Sequence, residues 1–466
     1  MTRAFDSRKT EEGVVVRRIV FGLFVCSFVA GQASAQNWSF DARKVAMGSP
    51  GSGENLATRM IDDENDYRAI VLPFGLFQVF RDFDRLNPTK ENFDVIRTME
   101  YAASPLHYTF GRDSVTAGQF NGNTGLNNFV IDIRNAQLSR DLNRYRGSAP
   151  ANQPRAEGLA SPNWGKTIKL QKGPGGAFQG VYVGAGPYMA MQTDVNFDQQ
   201  LIDVLGSPTD IYVPNAQMHL GSATLGQMAI AITGGYRGRF SMPAGTSDRD
   251  GIYVAANYNY LRGFRYEDVN LALRLDTDAT GLLTINPLLP TPLRVTRDNA
   301  TSGTGRALDV GVGVVLNRWE TGFGVNGIAN RINWTNVERT TFALGNPFLG
   351  DSNFIESVPQ LIGDAVVTLP VDYRGNVGYR ADRWSAVTEA GKGYGGNSFH
   401  AGYEYRFNSF ALRGGGMYSR KLWNPSAGVG LNMGRRMALD LAIYGNAANI
   451  ERKRHPAVAV SLRFNH

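Results

Sequence analysis

The stretch that decides the fold is Ala307-Leu-Asp-Val-Gly-Val-Gly-Val-Val-Leu-Asn317. Leu308, Val310, Val312, Val314 and Leu316 fall on one side of an extended chain, and Ala307, Asp309, Gly311, Gly313, Val315 and Asn317 on the other. Successive side chains of a strand point to opposite faces, so a period of two is the mark of a strand with one apolar face. The pattern recurs. Val269, Leu271, Leu273 and Leu275 alternate with Asp268, Asn270, Ala272, Arg274 and Asp276. Met437, Leu439, Leu441 and Ile443 alternate with Ala438, Asp440, Ala442 and Tyr444. Val458, Val460, Leu462 and Phe464 alternate with Ala457, Ala459, Ser461 and Arg463.

A soluble sandwich also alternates, but three features favour a membrane. Several segments reach the 9–11 residues that cross a bilayer at a tilt. Aromatics gather near segment ends, as an interfacial girdle requires: Tyr258, Tyr260, Trp319, Trp334, Tyr403, Tyr405, Phe407 and Trp423. An alternating segment ends on Phe464. Composition agrees: the 466 residues include 54 Gly, 19 Tyr and 25 Phe with 19% charged, which excludes a disordered chain and disfavours a helical one. The reading is an all-β, transmembrane antiparallel β-barrel of about 14 strands over 65–466.

Further strands are expected near Ala69–Phe80, His107–Gly111, Phe129–Arg134, Thr167–Gln171, Gly180–Met191, Gly226–Thr233, Gly251–Tyr260, Gly322–Trp334, Arg339–Leu344, Val366–Tyr373, Ser398–Phe407, Phe410–Tyr418 and Ala427–Met433. Tight turns are expected at 406–409 and 433–436, and long links at 144–165, 193–222, 276–304 and 345–365. The spacing of Phe197, Leu201, Ile202 and Leu205 predicts a short loop helix, and Glu91–Ala103 is a second candidate.

The N-terminus reads as a signal peptide over 1–35. Arg17-Arg18 precede an apolar run from Ile19 to Ala30, too short to span a bilayer, and Ala33-Ser34-Ala35 is a cleavage pattern. The one cysteine, Cys26, lies inside that run, so no lipid anchor, disulfide or thiolate site is expected. Removing 1–35 takes the net charge from +7 to +5, too little for a nucleic-acid partner. Residues 36–64 lack strand periodicity and are assigned to a plug-like lumen segment.

That segment opens with Phe40-Asp-Ala-Arg-Lys-Val-Ala-Met-Gly-Ser49, which resembles the mature start of an outer-membrane barrel superfamily that includes FadL-like, PorV-like and TraF-like proteins. Ala401-Gly-Tyr-Glu-Tyr-Arg-Phe407 and Ala427-Gly-Val-Gly-Leu431 resemble the same group in style. The resemblance implies a barrel of roughly 14 strands with an N-terminal segment in the lumen. It implies passive transport of hydrophobic or amphipathic small molecules across the outer membrane or, alternatively, a structural or secretion-associated barrel that binds a protein partner. A soluble periplasmic β protein ranks third.

No catalytic, cofactor or metal site is expected. Gly322–Gly327 and Gly391–Gly396 match a dinucleotide pattern but lack its strand–turn–helix frame. Gly350-Asp351-Ser352 lacks the frame of a nucleophile turn, and the histidines 107, 219, 400, 455 and 466 lack metal-ligand spacing. The informative set is the polar residues on the inner side of the strands: Asp268, Asn270, Arg274, Asp309, Asn317, His400, Glu404, Arg406, Arg413, Asp440 and Arg463. Two roles are open to them, bracing the wall by cross-strand ion pairs and screening solutes by charge. Small residues beside them, such as Gly311, Gly313, Gly402, Ala457 and Ala459, leave room for a plug or a solute. Val312→Arg is expected to impair insertion and Gly311→Ser to be mild.

Overall fold

The computed structural model describes residues 33–35, 41–48, 56–63, 67–72, 74–82, 108–109 and 155–465, the last with interruptions at 163, 199, 201–212, 243–246, 248, 282, 285–292, 345–353, 394–395, 420–421, 435–436 and 447–454. Before residue 155 the elements are short: β1 (Ala33–Ala35), α1 (Ala42–Ala46), α2 (Leu56–Asp63), β2 (Tyr67–Leu72), α3 (Phe74–Arg81) and β3 (Tyr108–Thr109). Strands then follow one another: β4 (Arg155–Pro162), β5 (Trp164–Lys172), β6 (Phe178–Phe197), β7 (Gln217–Phe240), β8 (Gly251–Thr277), β9 (Leu283–Thr284), β10 (Leu293–Ala300), β11 (Ser302–Leu316), β12 (Trp319–Leu344), β13 (Phe354–Glu356) and β14 (Gln360–Thr368). The remainder are β15 (Asp372–Arg380), β16 (Trp384–Gly393), β17 (Gly396–Arg406), β18 (Phe410–Ser419), β19 (Leu422–Asn432), β20 (Met437–Asn446) and β21 (His455–Asn465).

All pairings among the described residues are antiparallel, and they string the strands into one wall. The order is β5–β6–β7–β8–β11–β12–β15–β16–β17–β18–β19–β20–β21–β2. Four positions are built from two or more pieces. β4 and β5 lie end to end along β6, β10 and β11 along β8, β13, β14 and β15 along β12, and β2 and β3 along β21. β1 adds to the far side of β4.

The two faces of this wall separate as the alternation predicts. On β11, Leu308 and Val312 are exposed while Ala307, Gly311, Gly313 and Val315 are buried. On β20, Ala438, Asp440, Ala442 and Tyr444 are buried, and Leu441 and Ile443 exposed. Large apolar side chains on the outer face of most full-length strands, such as Val181, Ile232, Val312, Phe323, Val377, Leu412 and Ile443, are what a lipid-facing wall needs. Short links join Gly393 to Gly396 and Ser419 to Leu422 at one end of the wall, and the hairpins at 317–318, 381–383 and 407–409 share the other. Trp319, Tyr379, Trp384 and Tyr403 form a run of ring contacts near that end, with centroids 4.9, 5.0 and 5.9 Å apart.

The wall is uneven in height. β6, β7, β8 and β12 run for 20, 24, 27 and 26 residues, whereas β15 to β21 run for 9 to 11. A 27-residue strand is more than twice what a tilted crossing requires, about 9–11 residues.

Several sequence expectations change. Ala69–Phe80 is not one strand: β2 ends at Leu72 and α3 takes over. Gly251–Tyr260 and Asp268–Asp276 are one strand, β8, because a register shift opposite Met228/Ala229 leaves Phe264 as an extra residue and inverts the alternation. Gly322–Trp334 and Arg339–Leu344 merge likewise into β12, across irregularities near Ile328 and Asn336. The links 144–165 and 276–304 hold strands β4 and β10, and Val366–Tyr373 straddles the gap between β14 and β15. β16 has no counterpart among the expected strands. Phe129–Arg134, Glu91–Ala103 and Gly350–Ser352 lie outside the described residues, as does nearly all of the expected helix after Phe197, which itself ends β6.

Candidate functional site

The inner face carries three groups of side chains, and the first is organised by α1. Asp41 caps this short helix by accepting from the Arg43 amide at 2.8 Å. Ala42, Val45 and Ala46 are buried against Ala442, Tyr444, Ala457 and Ala459 of β20 and β21. The Ala42 amide donates to Ser461 Oγ (3.0 Å) and Ser426 Oγ donates to the Ala46 carbonyl (3.1 Å), so both ends of the helix are tied to the wall. Gly402 lets the chain come this close: a Cβ there would stand 2.1 Å from the Met47 carbonyl oxygen.

Arg43 then reaches Glu404 with two bonds of 2.9 Å. Glu404 also accepts from Arg413 at 2.7 Å, Arg413 donates to Asp440 at 2.7 Å, and Asp440 accepts from Arg463 at 2.5 Å. Glu404, Arg413 and Asp440 are almost wholly buried. Arg406 lies 3.7 Å from Glu404 and donates to the Ala381 carbonyl at 2.9 Å. Glu404, Arg406, Arg413, Asp440 and Arg463 are thus brought together, and each arginine sits beside a carboxylate. Buried charges are tolerable only when paired in this way. A second chain runs beside it on β15 to β17: Asp372–Arg374 (2.8 Å), Arg374–Glu389 (2.9 Å) and His400–Glu389 (3.1 Å).

The second group surrounds α2. Leu56, Ala57, Met60 and Ile61 are buried against Phe178, Tyr253, Ala255 and Val315. A Cβ on Gly311 would meet the Ala57 amide nitrogen at 2.7 Å, so Gly311→Ser is a clash with backbone and not the mild change expected. Thr58 Oγ1 donates to Asn376 Oδ1 at 3.0 Å. Asp309, two residues before Gly311, accepts from Asn259 Nδ2 (2.7 Å) and from the Gly327 amide (2.8 Å), which fixes the irregular part of β12.

The third group lines the tall half and is apolar. Leu261, Ile332 and Trp334 have no exposed surface, and Tyr188, Tyr266 and Val337 pack with them. Tyr266 stacks on Trp334 with ring centroids 5.5 Å apart. Tyr188 of β6 and Asn330 of β12 bond side chain to side chain at 3.1 Å although three wall positions separate their strands, so the inner face closes over this cluster. The indole Nε1 of Trp334 is buried with no hydrogen-bond partner among the described residues. Trp334 is therefore an inner residue and not part of the outer aromatic girdle; Tyr258, Tyr260, Trp319, Tyr403, Phe407 and Trp423 are exposed.

The remaining expected residues lie apart. Asp268 and Asn270 bond each other at 2.9 Å in the upper part of β8, where burial and the neighbouring Asp298 push the Asp268 carboxyl up. Arg274 bonds Asp276 at 2.9 Å. Asn317 does not face inward: it is an exposed turn residue with φ +55°, its amide donating to Asp250 Oδ1 at 2.8 Å. Sequence reading misses Arg43, Asp372, Arg374 and Glu389. Arg43 stands in a segment without periodicity, Glu389 stands on β16, whose outer residues are too polar to alternate visibly, and Asp372 and Arg374 open β15, where the expected strand Val366–Tyr373 blurs the boundary.

Gly322–Gly327 lies within β12, and Gly391 and Gly396 flank the β16–β17 hairpin. Among the described residues no group of three His, Cys, Asp or Glu side chains is placed to hold a metal ion.

No protein-family model matches this chain, and no curated protein matches it. Solved structures do. The toluene transporter TbuX of Ralstonia pickettii is 12% identical with a TM-score of 0.34, over 67% of this chain and 87% of that one. The toluene transporter TodX of Pseudomonas putida is 11% identical with a TM-score of 0.30, over 67% and 88%. A FadL homologue of Pseudomonas aeruginosa is 11% identical with a TM-score of 0.31, over 67% and 87%. The barrel architecture of this chain rests on its own pairings and on the two faces of its wall.

Proposed function

We propose that this chain is an outer-membrane β-barrel of about 14 strands that passes hydrophobic or amphipathic small molecules, with the segment 36–64 seated in the lumen and residues 1–35 removed as a signal peptide. The order of the strand pairings supports the count, and the contacts of α1 and α2 with the inner face support the plug. The observation that carries the transport reading is the apolar cluster of Leu261, Ile332 and Trp334 on the inner face of the tall half, packed shut in this structure. A water-filled pore has a polar interior. A solute that enters must part this cluster, and an apolar one then gains about 25 cal/mol for each Å² taken out of water. Once parted, the Trp334 N–H, which has no partner among the described residues, offers one hydrogen bond to a solute that carries an oxygen.

The test uses vesicles holding the purified chain, given the apolar dye N-phenylnaphthylamine and, separately, the sugar raffinose. Dye entry several-fold faster than in empty vesicles, without raffinose entry, is expected. Raffinose passage without any gain for the dye would make it a general pore and end this reading.

A second reading, a barrel that binds a protein partner, has one observation in its favour. Among the described residues β14 is paired on one side only, with β12, and Ile355, Val358 and Leu361 along this edge are 57%, 81% and 68% exposed. Free apolar edges invite strand addition. A stoichiometric protein retained through mild-detergent purification, and lost on Leu361→Lys, would favour it.

A further inference from the structure

On the outer face of the tall half, Arg262 of β8, Arg306 of β11 and Arg331 of β12 sit on neighbouring strands, and all three are exposed. Arg306 and Arg331 are direct cross-strand partners, and Arg306 is paired on its other side with Tyr260, two residues from Arg262. Like charges directly opposite in a ladder, with Cβ atoms about 5 Å apart, repel and destabilise the pair. Nothing within the wall relieves this. Among the described residues none of the three has a carboxylate partner, and Arg331 donates only to Asn333 Oδ1 at 3.0 Å. Nearby arginines are treated differently: Arg265 and Arg297 share Glu267, Arg274 bonds Asp276, and Arg339 holds Asp298.

The height of the cluster says what anion would reach it. On β11 the outward residues from the tight-turn end are Leu316, Val314, Val312, Val310 and Leu308, and the next is Arg306. That apolar run covers about nine residues, one tilted bilayer crossing. On β8 the corresponding outward run ends in Tyr258 and Tyr260, both exposed, and the next outward residue is Arg262. Amphipathic rings mark the membrane interface. The arginines therefore stand where the acyl chains stop and the headgroups begin, at the end where β6, β7, β8 and β12 run on past the bilayer, which is the outer leaflet because the longer excursions of such barrels lie outside. Guanidinium forks fit phosphate oxygens bidentately.

We propose that Arg262, Arg306 and Arg331 form a binding site on the outer wall for the phosphate groups of an outer-leaflet phosphoglycolipid. This rests on the membrane-barrel reading and goes beyond it, because it concerns the lipid shell and not the lumen. The bound phosphate removes the Arg306–Arg331 repulsion, so the lipid acts as a clamp across β8, β11 and β12.

The experiment measures binding of diphosphorylated lipid A, and of the same lipid with its phosphates removed, to the detergent-solubilised full chain. The wild-type chain should prefer the phosphorylated lipid. Each Arg→Gln change at 262, 306 or 331 should weaken that binding about tenfold, the worth of one charge-assisted contact. The triple variant should bind both lipids alike, and Arg318→Gln, at the opposite end of the wall, should change nothing. Stripped of lipid, Arg306→Gln should melt no lower than the wild-type chain, since it removes a repulsion; a lower melting point would overturn the argument. So would a wild-type chain that does not distinguish the two lipids, or millimolar inorganic phosphate displacing the lipid completely, which would mark a general anion site. Heat-modifiable migration of each variant is read in parallel. If it persists while the lipid preference is absent, the lipid site falls and the barrel stands; if the wild-type chain lacks it, the barrel reading falls first.

Discussion

The strands β6 to β12 and the strands β15 to β21 belong to one wall, but their inner faces are built on opposite principles. The tall side closes over Leu261, Ile332 and Trp334, and its Glu267, between Arg265 and Arg297, sits nearer solvent than Glu404 does. The short side has a buried chain of charge, Arg43–Glu404–Arg413–Asp440–Arg463, pressed under a helix. A lumen wall can thus be held by burial of apolar area on one side and by mutual neutralisation on the other. The N-terminal helices serve both sides differently: α1 gives the short side a charge, Arg43, and α2 gives the tall side apolar cover.

The sharpest way to break this contrast is to remove one carboxylate on each side. Glu404→Ala takes from Arg43 and Arg413 the buried carboxylate they share, leaving Asp440 alone among three arginines' charges, and should cost about 3–5 kcal/mol. Glu267→Ala, in the more open pair, should cost no more than about 1 kcal/mol. Chemical denaturation of the refolded chain in detergent reads both. Equal losses would mean that the two sides are not held differently.

Next in size is the outer face. Val312→Arg places a charge against lipid near mid-membrane, at about 2–4 kcal/mol, and should lower the assembled, heat-modifiable fraction. A soluble core would also reject it, so a second measurement is needed. A fluorophore attached at position 312 of the doubly substituted chain (Cys26→Ser with Val312→Cys) should be quenched from lipid. No quenching there would end the membrane reading. Gly311→Ser should cost about 1–3 kcal/mol by overpacking, and limited proteolysis near Leu56 should quicken as α2 lifts. Unchanged protection would mean that α2 does not rest on β11. Smallest is Asn317→Ala at the left-handed turn position, about 1 kcal/mol, with Asn317→Gly close to neutral; a melting curve is enough to rank them.

What is legible in the sequence follows the same division. β11, β20 and β21 can be read outright because their outer residues are aliphatic and their inner ones small or polar. β8 and β12 each read as two strands, since an extra residue at Phe264 and the irregularities near Ile328 and Asn336 invert the phase of the alternation. β16 is invisible because its outward Ala386, Thr388 and Lys392 carry no apolar signal. α2 escapes because its four buried residues, Leu56, Ala57, Met60 and Ile61, make too brief a helical pattern to stand out. Asn317 is misplaced by carrying the alternation one residue into a hairpin. Of the inner polar residues, types and strands can be read, but not partners: that Glu404 meets Arg43, 361 positions away, is a fact of tertiary structure alone.

The seating of α1 has a consequence for the order of events in assembly. Its first amide is held by Ser461 and its apolar side by Ala457 and Ala459, all on β21, while β2 uses the other edge of that same strand. Residues made early in synthesis thus wait for residues made as many as 419 positions later. Until β21 is in place, β2 lacks its partner strand and the helix lacks the bond on its first amide, although β17, β19 and β20 already offer it Glu404, Ser426, Ala442 and Tyr444. A chain without β21 therefore loosens its N-terminal helix and frees β2 in the same stroke.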